Sequence, residues 1–141
     1  MTVFAYHTPQ IASPINDRRA GTSRVVSDTP TPIQVGKGYS VTLYFAFQDH
    51  NNKAFWIEGR TMTAHIHDRN NTKVAEVGVN PIPGIIGAGQ IKLDTATTAP
   101  LLPGFYNLVI TYVDDFGTEV AVQTMRSRPR FVLDVVDFVN T

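Results

Sequence analysis

Val41, Leu43, Phe45 and Phe47 alternate with Thr42, Tyr44 and Ala46 in the stretch "YSVTLYFAFQ". A period of two marks a half-buried strand, because successive side chains leave a strand on opposite faces. The same alternation returns in "RTMTAHIHDR", "TKVAEVGVN", "GQIKLD", "FYNLVITYVDD", "TEVAVQTM" and "FVLDVVDFV". Asp, Asn, Gly and Pro clusters such as "DHNNK", "PIPG" and "DDFG" break it about every eight to twelve residues, a spacing typical of all-β sandwiches and barrels. No segment carries the 3.6-residue spacing of a helix. The chain is therefore expected to be all-β, an antiparallel sandwich of about seven to eight strands.

"LLPGFYNLVITY" refines that expectation. Pro103 and Gly104 precede Tyr106 at a strand start. A tyrosine in that place, bonding back across its loop, is the tyrosine corner of immunoglobulin-like sandwiches. With no cysteine in the chain, the Cys-Trp-Cys core of antibody domains is absent.

Three regions follow. Residues 1–32 hold Pro9, Pro14, Pro30 and Pro32 and read as an extended N-terminal arm, with one short strand at Arg24–Ser27. Residues 33–125 form the sandwich. Residues 126–141 form a C-terminal strand that packs on the sandwich or on a neighbour, and that strand is expected to form an edge. Its apolar residues fall on both faces, as in a strand covered on both sides.

Twelve basic and twelve acidic residues cancel. A neutral chain lacks the excess of Lys and Arg that nucleic acid binding needs, and it offers little resistance to close assembly. The absence of cysteine removes thiolate catalysis and Cys-based zinc sites. "MTVFAYHTPQ" has no charged and apolar leader pattern, and no run approaches the ~20 apolar residues of a membrane helix. No nucleic acid, membrane or cofactor is therefore expected.

The candidate chemistry is sparse. In "TMTAHIHDR", Met62, Ala64 and Ile66 must face the core, so His65 and His67 point outward, ~7 Å apart along the strand. That pair is a weak metal candidate, because a catalytic zinc wants a third protein ligand. Water or the next subunit is the expected neighbour. No nucleophile motif is present. Asp114 and Asp115 precede Phe116-Gly117 and serve a hairpin turn. Trp56, beside Phe55, is expected in the core or at its rim; the alternative is a sugar-stacking platform shared with Tyr44.

Interface candidates are Phe4, Tyr6 and Ile11 in the arm, Ile82, Ile85 and Ile86 in the loop "PIPGIIGAGQ", Arg126, Arg128 and Arg130 in "RSRPR", and Phe138 near the end. Apolar residues at a loop tip suggest contact with another chain. Arginines in a neutral protein suit carboxylates on a protein partner.

The order of motifs resembles a known family. "WIEGRTMTAHIHD" matches a small apolar residue, a glycine and an alternating strand. "GAGQIKLD" matches Gly-X-apolar-X-apolar, and "LLPGFYNLVITYVDDFG" matches Leu-X-Pro-Gly-X-Tyr, strand, Asp-X-X-Gly. Over about residues 35 to 122 the chain resembles the immunoglobulin-like N-terminal domain of the bacteriophage baseplate upper protein family and related phage structural proteins. It has Asn51-Asn52 where glycine is usual, and it lacks the long part that follows in larger members. The resemblance implies a non-enzymatic structural protein of a virion, assembled in the host cytoplasm, in a tail, baseplate or fibre-attachment region. The implied partners are other virion proteins and copies of itself. A head decoration protein and a carbohydrate-binding or host-adhesion module are the alternatives, and a metalloenzyme on His65 and His67 ranks last.

Overall fold

The protein is described by a computed structural model covering residues 3–8, 33–51, 53–122 and 130–137. Ten strands and one helical turn occur among these residues: β1 Val3–Thr8, β2 Ile33–Gly36, β3 Val41–Asp49, β4 Met62–His67, β5 Lys73–Gly78, β6 Asn80–Pro81, β7 Ala88–Leu93, α1 Thr95–Thr98, β8 Gly104–Val113, β9 Glu119–Ala121 and β10 Phe131–Val136. The count exceeds the expectation because β1, β2 and the two-residue β6 were not among the runs read from alternation.

The strands form two sheets. One has the order β1-β3-β7-β6, the other β2-β10-β8-β4-β5, with β9 paired to β8. Every pairing is antiparallel except β10 with β2. Lettered in chain order, β1, β3, β7 and β6 take the places of strands A, B, E and D, while β4, β8 and β9–β10 take those of C, F and G. The fold is an immunoglobulin-like β-sandwich.

Alternation decides what is buried. Leu43, Phe45 and Phe47 of β3 and Ile91 and Leu93 of β7 meet Ala64 and Ile66 of β4, Leu108 and Ile110 of β8 and Leu133 and Val135 of β10 in one core. The Phe45 ring lies 5.1 Å from the Phe131 ring, edge to face, so it bridges the sheets. Each such side chain, removed from water, contributes about 1.5–3 kcal/mol before the cost of ordering it.

Three expectations need correction. Residues 3–8 are not an arm: they form β1, an edge strand on β3, with Val3 and Ala5 fully buried. Their own alternation supplies an apolar face, and the edge of β3 offers the hydrogen bonds. Residues 131–136 are not an edge either, since β10 lies between β2 and β8. The sandwich thus extends beyond residues 33–125 on both sides. The expected strand at Arg24–Ser27 lies outside the described residues.

The two short runs β9 and β10 share one flank of β8. Thr111, Tyr112 and Val113 pair with β9, and residues Gly104 to Leu108 pair with β10. The chain runs from Ala121 to Phe131 while its partner positions on β8 move only from Thr111 to Leu108. "RSRPR" falls in that interval.

Candidate functional site

The stretch after β3 builds the site. Asp49 ends the strand as a turn cap: its Oδ1 accepts from the backbone N–H of Asn51 and of Lys53, at 2.8 and 3.1 Å. Desolvation pushes the Asp49 carboxyl up, but these bonds, together with the nearby His50 and Lys53 charges, outweigh it and lower the group from its ordinary value. The chain then returns beside β3, with Phe55 N–H donating to the Phe47 carbonyl at 2.9 Å. Extended backbone sends Phe55 and Ile57 into the core and turns Trp56 and Glu58 out. Trp56 is 60% exposed, so of the expected core or rim positions it does not take the core. The apolar face here was already taken by its neighbours.

Arg60 stiffens this segment. Its Nε donates to the Trp56 carbonyl at 3.1 Å, and its guanidinium sits 4.7 Å from the centre of the Phe55 ring. It also lies 3.8 Å from Asp115 at the tip of the β8–β9 hairpin. In that hairpin Asp114 Oδ1 accepts from Phe116 and Thr118 N–H, both at 2.9 Å, as expected of a turn aspartate. Phe116 at the tip is 93% exposed.

The β6–β7 hairpin supplies the facing wall. Ile82 N–H donates to Ala88 at 3.0 Å, and Ile85 N–H to Ile82 at 3.2 Å. Gly87 has φ of +77°, and a Cβ there would lie 3.0 Å from both the Phe47 carbonyl oxygen and Ala54 Cβ. Glycine is what lets this loop close down on β3. Ile82 is buried, contrary to its place among the exposed loop residues; Ile85 is half-buried and Ile86 exposed.

Between the walls is an open cleft of about 220 Å³ lined by Trp56, Ile57, Glu58, Pro81, Gly84, Ile85, Ile86 and Gly87. Among the described residues its lining is apolar apart from backbone, the tryptophan N–H and one carboxylate. Tyr44 is half-buried on β3 and is not part of it, so the structure does not join the two aromatics of the sugar reading.

The opposite end is closed differently. The Tyr106 hydroxyl donates to the Leu102 carbonyl at 2.8 Å, the tyrosine corner that Pro103 and Gly104 announced. Gly104 has φ of +142°, and a Cβ there would sit 3.3 Å from Arg69 Nη2. The Thr98 hydroxyl donates to the Tyr39 carbonyl at 2.9 Å, and Lys37 Nζ donates to the carbonyls of Ala99 and Leu101. Tyr39, Leu102 and Phe105 remain exposed there.

His65 and His67 share the outer face of β4, with ring centres 6.4 Å apart. They are less open than expected. His65 is 13% exposed, with Nδ1 3.2 Å from Glu76 Oε1 and Nε2 3.2 Å from Thr111 Oγ1. Glu76 also pairs with Lys73 at 3.3 Å. His67 Nδ1 is buried without a partner among the described residues. No group of three His, Cys, Asp or Glu side chains placed to hold a metal occurs among the described residues.

Of the remaining interface candidates, Phe4 is half-buried in β1 and Tyr6 pairs with Ala46. Arg130 is exposed, and Ile11, Arg126, Arg128 and Phe138 lie outside the described residues. Glu58, Phe116, Leu102 and Phe105 were not singled out from sequence. The outward phase of "AFWIEG" carried the signal for Glu58; the others sit in turns or at a strand start, where alternation gives none.

No protein-family model matches the chain, and no curated protein matches it. Among solved structures, CopC from Methylosinus trichosporium OB3b is 15% identical with a TM-score of 0.41, over 76% of this chain and 85% of that one. The Lin-41 filamin domain is 16% identical with a TM-score of 0.42, over 73% and 82%. Likenesses this distant carry no argument about function. The fold assignment stands on strand order and the tyrosine corner. Among the described residues no helix is long and apolar enough to cross a membrane.

Proposed function

We propose that the chain is a non-enzymatic structural protein of a phage particle, a tail, baseplate or fibre-attachment component that joins neighbouring subunits. The observation that carries this reading is the placement of exposed apolar side chains at both ends of one sandwich. Trp56, Ile86 and Phe116 stand at one end, and Tyr39, Leu102 and Phe105 at the other. Loop-tip apolar groups of this size are costly to leave in water and favour burial against a partner. The sandwich between them is a rigid spacer. The motif resemblance over residues 35 to 122 supports the choice of particle, and neutral net charge suits dense packing among virion proteins and copies of itself.

Antibodies against the purified chain test this on particles released from the producing host. Label at a fixed place on the tail is expected. Label over the head would favour the decoration alternative, and unlabelled particles would contradict the reading.

A glycan-binding module is the second reading. It is favoured by one observation, the exposed Trp56 face on a cleft that also presents Glu58. Glycan-array binding that disappears in Trp56→Ala would support it.

A further inference from the structure

The cleft makes a chemical choice among occupants. Among the described residues that line it, the one charged side chain, Glu58, has a carboxylate that only accepts hydrogen bonds, and the only side-chain donor is the Trp56 indole N–H. The rest of the lining side chains are apolar. Sugar hydroxyls need acceptors and donors in similar number, and the lining side chains offer few donors. A planar cation on an apolar stem needs what is present: an aromatic face, a carboxylate and apolar walls. Arg60 does not already neutralise Glu58, because it is turned to the Trp56 carbonyl, the Phe55 ring and Asp115. Among the described residues Glu58 takes part in no ion pair.

The same chain carries the matching group. "RSRPR" concentrates Arg126, Arg128 and Arg130 within five residues, out of twelve basic residues in all. It falls between β9 and β10, where far more chain intervenes than the pairing on β8 requires. Arg130 is exposed. Charge and length therefore name one occupant.

We propose that the Trp56–Glu58 cleft is a receptor for an arginine side chain, and that its occupant is the Arg126–Arg130 segment of a second copy of this chain. Guanidinium stacks on the indole and pairs with the carboxylate, while its methylenes lie along Ile85 and Ile86. Cleft and segment are different parts of the chain, so each copy can give one segment and receive another. Such a contact is heterologous and generates a ring or an open array. This inference rests on the binding role proposed above and specifies one of its contacts.

Trp56 is the chain's single tryptophan, so its emission reports the cleft directly. A synthetic peptide of residues 123–131 is titrated into the full chain. A saturable blue shift of emission is expected. It should weaken about tenfold or more in Glu58→Gln, as loss of a charge-assisted pair implies. A peptide with its three arginines changed to lysine should also bind more weakly, since an ammonium keeps the charge and loses the planar stack. Sedimentation of the full chain should show concentration-dependent association that Glu58→Gln and Arg128→Ala both reduce. No spectral change with the peptide, a change elicited by simple pyranosides instead, or a chain that stays monomeric at high concentration would each overturn the proposal. Antibody label on particles would survive that failure, so loss of this contact is distinguishable from loss of the structural role.

Discussion

The two ends of the sandwich carry similar exposed apolar material and are both tied down by side chains bonded to backbone, but they differ in what lies between their loops. At the Tyr106 end, side chains are spent on backbone: Tyr106 on Leu102, Thr98 on Tyr39, Lys37 on Ala99 and Leu101, and Asp94 on Thr97. At the Trp56 end Asp49, Arg60 and Asp114 do the same, but two loops face each other across a cleft and Trp56 and Phe116 stay exposed. The exposed groups of the second end have little intramolecular packing to lose, and binding is the role proposed for them.

That contrast can be broken at several strengths. Phe45→Ala should act on both ends alike, because its ring spans the sheets; a loss of about 3–5 kcal/mol is expected in urea unfolding. Gly89→Ala should act on the open end. Its new Cβ would meet Ile57 Cδ1 at 2.8 Å and Phe47 Cε2 at 3.0 Å. Overpacking of this kind costs about 1–3 kcal/mol. Ile57 lines the cleft, so hydrogen exchange should rise around residues 54–58 and stay unchanged near Leu102. Tyr106→Phe should act on the closed end alone and cost about 1 kcal/mol, the usual worth of one such hydrogen bond.

Acid offers a gentler probe of the closed end. The Asp94 carboxyl is held below its ordinary value of 3.8 by the Thr97 hydroxyl and then by the Thr97 N–H. A lowered folded pKa stabilises fully above 3.8 and loses that contribution as pH falls through the folded value. Exchange of the Thr97 amide should therefore quicken in strong acid, and Asp94→Asn should flatten the response. The smallest effect is expected from Trp56→Ala and Phe116→Ala, each within about 0.5 kcal/mol of the parent in stability, as for exposed positions generally. A larger loss would mean that the open end helps hold the fold.

Sequence made much of this legible wherever the reason was local. Alternation placed Leu43, Phe45, Ile66, Leu108 and Leu133 in the core. Pro-Gly before Tyr106 gave the corner, because that bond spans only four residues. The same alternation in "AFWIEG" turns Trp56 and Glu58 outward once Phe55 and Ile57 face inward, yet the usual burial of tryptophan points the other way. What escaped was set by partners distant in sequence. Val3 and Ala5 alternate plainly, but nothing local says that β3 has a free edge for them. His65 and His67 were placed on the correct face, while the Thr111 that covers His65 lies 46 positions away. Ile82 and Ile86 belong to one apolar loop, and only the turn geometry around Gly84 and Gly87 sends one in and the other out.

If the open end meets another subunit in an assembled particle, as proposed, its rim should be buried there. Because the chain has no cysteine, Ile86→Cys introduces a single reactive thiol on the rim of the cleft. Its labelling by a maleimide should be fast in the isolated chain and strongly protected after incorporation into particles. Equal labelling in both states would contradict burial of this end.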